Sequence, residues 1–368
     1  MARRVISDLF GSAGLTVNGD GPGDPKIHDK RFYSRVLAQG SLGLGESYMD
    51  GWWDADPLDE FFTKLLRARL EQRLKPLRTL LPYLKAVFVN LQTPRKAHAV
   101  ADVHYDLGSD FFVDMLGRRL IYTCGYWDGA RDLNEAQENK CDLVCRKVGL
   151  KQGDTVLDLG CGWGGFAMFA AERYGASVTG VNISDSQVAY ADKNRGDLPV
   201  RFVCEDWRKA DGVYDHVVAI GLFEHVGYRN YRRCMEDVSE RLNDDGLFLL
   251  HTVGRNTSTV AVDPWINRYV FPNGMLPSIK QIALAAEGVF VVEDFHSLGP
   301  HYDRTLMAWH ENFSMSWHKH REQFGERFRR MWSYYLLSCA GSFRARSIQL
   351  WQFVLSKRGV AQGYVAVR

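Results

Sequence analysis

VLDLGCGWGG, residues 156–165, compresses an apolar strand, a glycine-rich turn and a helix start into a single run. Gly160, Gly162 and Gly164 let the backbone turn tightly and approach a ligand where a side chain would collide. Their spacing is GxGxG, with Asp158 two residues ahead of the first glycine, and it differs from the GxGxxG dinucleotide fingerprint. Further strands are expected at SVTGVNI (177–183), VRFVCED (200–206), YDHVVAI (214–220), DGLFLLHTV (245–253), VFVVEDFHSL (289–298) and LWQFVLSKR (350–358). Strands alternating with helices predict an α/β fold: a seven-stranded, doubly wound, mostly parallel sheet with helices on both faces. Ligands of such sheets bind beyond the carboxyl ends of the strands. Polar residues at those ends are therefore candidates by position, above all Glu224 and His225 in IGLFEHVG (220–227) and His251 in FLLHTVG (248–254).

Upstream of about Arg95 the texture changes. Phe62, Leu66, Leu70, Leu74, Leu77, Leu81, Leu84 and Phe88 recur three and four apart, interrupted by Pro76 and Pro82, while GSLGLGESYMDGWW (40–53) reads as a glycine-rich turn. The expected organisation is a smaller, all-helical N-terminal domain over 1–95 and a larger α/β domain over 96–368, linked through QTPRKAHAVADVHYDLG (92–108).

Composition narrows the function. At 368 residues and 46% hydrophobic the chain can bury a large core. Lys and Arg number 46 against 44 Asp and Glu, a net charge of +2, which argues against a nucleic-acid partner. The seven cysteines are scattered, with no CxxC pair or Cys/His cluster at metal spacing, so neither a disulfide framework nor a metal site is expected. No run approaches the ~18 apolar residues of a membrane span, and the start lacks a secretory pattern. The expectation is a cytoplasmic protein.

The glycine turn, taken with what ends the next strands, resembles the S-adenosylmethionine loop of the class I methyltransferases. NISDSQ (182–187) stands where ribose hydroxyls are held, and CEDW (204–207) offers Asp206 and Trp207 where the adenine is held and stacked. Asn182 departs from the acidic residue usual at that strand tip; its amide both accepts and donates, so the site is kept and a particular branch is indicated.

YTCGYW (122–127), VLDLGCGWGG, FEHVG (223–227), FLLHTVG, DPWINRYVFPNG (263–274), YDRTLMAW (302–309) and YYLLSCAGSFRAR (334–346) together resemble the cyclopropane-fatty-acid synthases. GSLGLGESYMDGWW resembles the N-terminal domain of the bacterial phospholipid subgroup. The resemblance implies that a cis double bond of an unsaturated phospholipid acyl chain receives the methyl carbon of S-adenosylmethionine and closes to a cyclopropane. An alkene that accepts a methyl cation becomes a carbocation, which must lose a proton in a pocket dry enough that water does not trap it. In the family the base is a bound bicarbonate, held by residues matching Cys124, Glu224, His251 and Tyr302 and by a backbone amide at Val253. Cofactor contacts carried over are Tyr122 and Thr123; Val156, Leu157, Asp158, Leu159, Gly160, Cys161, Gly162, Trp163 and Gly164; Asn182, Ile183, Ser184, Asp185, Ser186 and Gln187; and Trp207 with Arg208. Cys339 matches a family cysteine once regarded as a nucleophile, although direct methyl transfer requires no covalent enzyme intermediate.

Singly, these residues have plainer readings: Glu224 and His225 as polar groups near a helix start, Cys124 and Cys339 as small buried hydrophobes, Tyr302 and Trp265 as packing aromatics. The matched motifs overturn those defaults. A bilayer substrate implies peripheral contact with the inner face of the membrane. KLLRARLEQRLKPLRTLLPYLKAVF (64–88) carries seven cations against Glu71 alone and is the candidate for that contact, its alternative being a helix packed within its own domain with a solvated basic face. A homodimer would strengthen such contact by avidity. Competing outcomes are a methyl-branched or hydroxylated lipid, or a cofactor- and lipid-binding module without turnover; the glycine spacing and Asn182 speak against a nicotinamide oxidoreductase.

Overall fold

The computed structural model describes residues 1–69, 108–260 and 262–368, and these fall into two compact units. The described residues of the first are 1–69, 260, 262–272 and 302–348; those of the second are 108–259, 273–301 and 349–368. The boundary expected at residue 95 lies outside the described residues, as does most of the basic segment from residue 70 onward. The partition in space is not sequential, because stretches near 265 and beyond 302 complete the core begun by the N-terminal residues.

In the first unit the helices Ala2–Ser12, Arg31–Gln39, Ser41–Met49 and Leu58–Arg67 pack with Pro264–Tyr269 and with most of a long segment, Gly299–Arg344. That segment breaks at Gly325 (φ 73°) and doubles back, so that Tyr302 stacks on Phe343 and Arg344 pairs with Asp303. Its core is aromatic: Trp53 lies 4.9 Å from Phe61 and Trp265 lies 4.4 Å from Tyr334, centroid to centroid. The unit is not all helix as expected, since β1 (Pro25–Ile27) and β2 (Trp53–Ala55) form an antiparallel ladder. Strands of three residues are too short for an alternating pattern to declare itself.

GSLGLGESYMDGWW, expected as a turn, is mostly helix (Ser41–Met49). Gly40 and Gly51 hold positive φ and bracket a helix, whereas Gly43 and Gly45 lie inside it. Those two serve close approach: a Cβ on Gly45 would stand 2.3 Å from Trp265 Cδ1, and one on Gly43 2.5 Å from the Arg35 carbonyl oxygen. Trp265 is buried and cannot yield freely, so Gly45→Ala is expected to destabilise this unit by about 2 kcal/mol. Gly11→Ala, in a helix with open space at the same atom, should hold or raise the unfolding temperature; thermal unfolding of the two variants checks the contrast.

The second unit carries all seven expected strands: β3 (Thr155–Leu159), β4 (Ser177–Asn182), β5 (Val200–Cys204), β6 (Tyr214–Ile220), β7 (Leu242–Arg255), β8 (Val291–Ser297) and β9 (Ile348–Ser356). They lie in the order β5-β4-β3-β6-β7-β9-β8, parallel from β5 through β7, with β8 antiparallel to β9. Val156, Val178, Val200, Val218, Leu249 and Val354 project from six strands onto one face, against Val144 and Val148 of the helix Leu133–Val148 and Phe166, Ala167 and Ala170 of the helix Gly165–Tyr174. Burying each such valine or leucine is worth about 2 kcal/mol.

The chain runs from β3 out to β5 and then crosses back to β6, on the other side of β3. The loops that follow β3 and β6 therefore diverge to opposite faces and leave a crevice between them, the usual ligand position in such sheets.

Candidate active site

The glycine turn fills one wall of that crevice. Gly160, Gly162 and Gly164 all hold positive φ (78°, 56° and 81°), and the helix Gly165–Tyr174 starts directly after. A Cβ on Gly164 would stand 2.4 Å from the Phe202 ring, whereas one on Gly162 would meet nothing within 4 Å. The turn is thus braced against β5 at one end and open at its middle. Asp158, the penultimate residue of β3, is buried, and its Oδ2 has no hydrogen-bond partner. Burial pushes its carboxyl up to about 7, with nearby Lys140 acting in opposition.

Asn182 closes the next side. Its Nδ2 donates to Gln187 Oε1 at 2.6 Å and to the Gly162 carbonyl at 3.4 Å, and its Oδ1 accepts the Ile183 N–H at 2.9 Å. Ser184 caps the helix Asp185–Asn194, and the Cys204 thiol reaches Asp185. The Glu205 N–H donates to the Asn182 carbonyl, which brings the end of β5 alongside. There Asp206 caps its own short turn through the Arg208 N–H and pairs with the Arg208 guanidinium at 2.6 Å; Arg208 in turn lies over the buried Trp207 ring. Asp206 thus shapes this corner through its neighbour.

Glu224 sits in a short helix, Phe223–Val226, entered from β6 through Gly221 and Leu222. His251 lies on β7 level with Ile220, the last residue of β6, and β7 continues past it to Arg255. Glu224 is buried; its Oε1 accepts the Val253 N–H at 2.6 Å, and its Oε2 has no partner. Burial pushes this carboxyl up to about 7, against the Val253 N–H, its own backbone N–H and the Thr252 hydroxyl, which favour the charged form. His251 is buried too, and burial holds it well below its ordinary value, with Lys140 and Lys147 adding to the effect. Gln352 Nε2 donates to His251 Nδ1 at 3.2 Å, which places the proton of the neutral ring on Nε2, an atom with no partner. The arrangement offers an acceptor on Glu224 and a donor on His251, both in dry surroundings. His225, beside Glu224, is held down to about 4 by burial.

The expected residues of the second unit form one connected cluster. A Cβ on Gly160 would touch Leu222, and one on Gly221 would stand 2.8 Å from Thr123 Cγ2; the Gly221 N–H donates to the His251 carbonyl. Cys124 is buried one residue beyond Thr123, and Tyr122 and Trp163 both pack on Phe112. Val253, assigned from resemblance as an amide donor to an anion, gives its N–H to Glu224. Tyr302 and Cys339 belong to the first unit, where Tyr302 stacks on Phe343 and meets Trp309 edge to face. Burial, with Asp263 nearby, pushes the Cys339 thiol up to about 12, so it stays protonated, unsuited to attack.

Sequence reasoning passed over Lys140, Gln137 and Gln352. Lys140 and Gln137 sit in AQENKCDLVCRKV, where they read as ordinary helix polars; only their burial marks them. Gln352 breaks the apolar run of β9 and is wholly buried, a signal visible as one polar residue within LWQFVL.

The sheet order, the open glycine turn, the unpartnered Asp158 oxygen and the Asn182 bridge fit S-adenosylmethionine, and they define a class I S-adenosylmethionine-dependent methyltransferase. Residues 92–353 match the family model described as mycolic acid cyclopropane synthetase. The chain is 47% identical over 366 residues, 99% of its length and 96% of the relative's, to the cyclopropane-fatty-acyl-phospholipid synthase of Escherichia coli strain K12. Among solved structures it resembles the cyclopropane synthase MmaA2 from Mycobacterium tuberculosis, with a TM-score of 0.67 and 30% identity over 70% of this chain and 98% of that one. It also resembles the mycolic acid cyclopropane synthase CmaA1 complexed with SAH and CTAB, with a TM-score of 0.66 and 32% identity over the same shares. The chain belongs to the cyclopropane synthase family, and it is an enzyme of S-adenosylmethionine-dependent methyl transfer to lipid.

Proposed function

We propose that the enzyme converts a cis double bond in an unsaturated phospholipid acyl chain to a cyclopropane, with a bicarbonate ion as general base. The reading is carried by a pair of buried polar atoms without partners, Glu224 Oε2 just beyond the end of β6 and His251 Nε2 on the adjacent strand β7, level with that end. The cofactor, when bound, supplies an electrophilic methyl carbon. His251 Nε2–H donates to a small anion, and Glu224 Oε2 accepts its proton or orients its hydroxyl; Cys124 and Tyr302 are the other side chains the resemblance assigns to that ion. A bicarbonate there would supply a base for the proton released as the ring closes. The apolar wall of Phe223, Val226 and Tyr231 keeps water from the Glu224 side and so disfavours an alcohol product.

The substrate reading makes the protein a peripheral visitor to the inner membrane face. Among the described residues no helix is long and apolar enough to cross a membrane. The test is incubation of the protein with methyl-labelled cofactor and vesicles of mixed saturated and unsaturated phospholipid. Label is expected only in the unsaturated chains, each gaining one methylene, and the protein is expected to sediment with the vesicles. Added oxygen or a methyl branch in the product would replace the cyclopropane reading, and label on headgroups would remove the acyl-chain one.

A further inference from the structure

One helix reaches into the site with two buried polar side chains. Leu133–Val148 is capped by Asp132, which accepts the Glu135 N–H, and ends at left-handed Gly149. Gln137 and Lys140, three residues apart and so on one face, are each 1% exposed. Burying a lysine this completely is costly unless its ammonium is held, and burial does push Lys140 below its ordinary value, while Asp158 and the thiols of Cys141 and Cys124 favour its charge. Lys140 Nζ donates to Thr123 Oγ1 at 2.9 Å. Gln137 Nε2 donates to the Thr123 carbonyl at 2.8 Å and to the Ile121 carbonyl at 3.3 Å. Across the segment, the Thr123 methyl lies against the backbone of Gly221, where a Cβ would come within 2.8 Å of it. Thr123 is thereby gripped on its hydroxyl, its carbonyl and its methyl.

We infer that Lys140 is a positioning residue for the cofactor: through Thr123 Oγ1, with Gln137 holding the backbone, it fixes the 121–124 segment whose side chains meet the cofactor and the anion site. The inference rests on the placement of Tyr122 and Thr123 at the cofactor, and goes beyond it by assigning what sets their geometry. The cation has no role in proton transfer, because its partner is a hydroxyl at the edge of the site. Removing it leaves the Thr123 hydroxyl without its hold, while Gln137 still ties the backbone and Gly221 still meets the methyl.

The test measures the affinity of the full chain for S-adenosylhomocysteine by titration calorimetry, without lipid, so its outcome is independent of which lipid is modified. Lys140→Met and Thr123→Val are each expected to weaken binding about tenfold, and the double variant no more than the weaker single, because both changes remove one interaction. In turnover, KM for S-adenosylmethionine should rise about tenfold in Lys140→Met with kcat within about twofold, a split that general loss of folded protein does not produce. Losses that multiply in the double variant, or wild-type affinity in Thr123→Val, overturn the inference. Should Lys140→Met fail to fold, Lys140→Arg and Thr123→Ser, which keep the donor and the acceptor, are set beside Thr123→Val: near wild-type affinity in the two conservative variants with a tenfold loss in Thr123→Val upholds the role, and equal losses in all three, or undiminished affinity in Thr123→Val, reject it.

Discussion

Glu224→Gln is expected to lose about three orders of magnitude in turnover while binding S-adenosylhomocysteine within about twofold of wild type. The substitution keeps the local fold, because an amide oxygen still accepts the Val253 N–H that Oε1 accepts now. What it changes is the second atom: the buried, unpartnered Oε2 becomes an NH2 group, a donor where the chemistry needs an acceptor. Nothing near the glycine turn is touched, so cofactor affinity should persist. His251→Ala should fall in the same range, since it removes the Nε2–H oriented by Gln352. Single-turnover kinetics with labelled cofactor, beside a binding titration, reads the two effects separately. Turnover within tenfold of wild type in Glu224→Gln would remove the proposed base site.

The same variant should be more stable than wild type above neutral pH. Burial raises the Glu224 carboxyl from 4.5 to about 7 in the folded chain. Between those values the folded state holds a proton that the unfolded state has released. Wild-type stability therefore falls as pH rises from about 4.5 to 7, and the loss is complete above 7. The ceiling on that loss is about 3 kcal/mol, at 1.36 kcal/mol for each pH unit. Glutamine never ionises, so Glu224→Gln should match wild type near pH 4.5 and unfold several degrees higher at pH 8. Apo protein followed by circular dichroism at the two pH values measures this. Equal unfolding temperatures at pH 8 would mean that the carboxylate is stabilised there by a partner. A less active but more stable variant is what a site strained for chemistry predicts.

The sheet was readable because each strand is an apolar, β-branched run ended by glycine or a polar residue, and because VLDLGCGWGG marks the point from which the topology diverges. Its positions held to within a few residues; β7 alone outran its expected end, which left His251 beside the tip of β6. The first unit was harder to read. Gly43 and Gly45 look in sequence like turn residues, and only the approach of Trp265, far along the chain, shows that they thin a helix for contact. Glu224 and His251 were legible from position and motif together. Lys140 and Gln137 were not, since helical periodicity says which face a residue occupies and nothing about the unusual case of a buried cation. The Val253 amide illustrates a different limit: resemblance assigns it to a ligand, and the geometry gives it to Glu224.

The discontinuous first unit also bears on how the chain is made. Trp53 and Phe61 leave the ribosome well before the segment bearing Tyr334 and Gly341, against which Tyr48, Asp59 and Phe62 pack. Nearly all of the α/β sheet is synthesised in the interval, so the N-terminal helices wait with aromatic faces uncovered while a separate core forms after them. Translation order thus leaves these helices, rather than the sheet, with the longer exposure of unburied apolar surface.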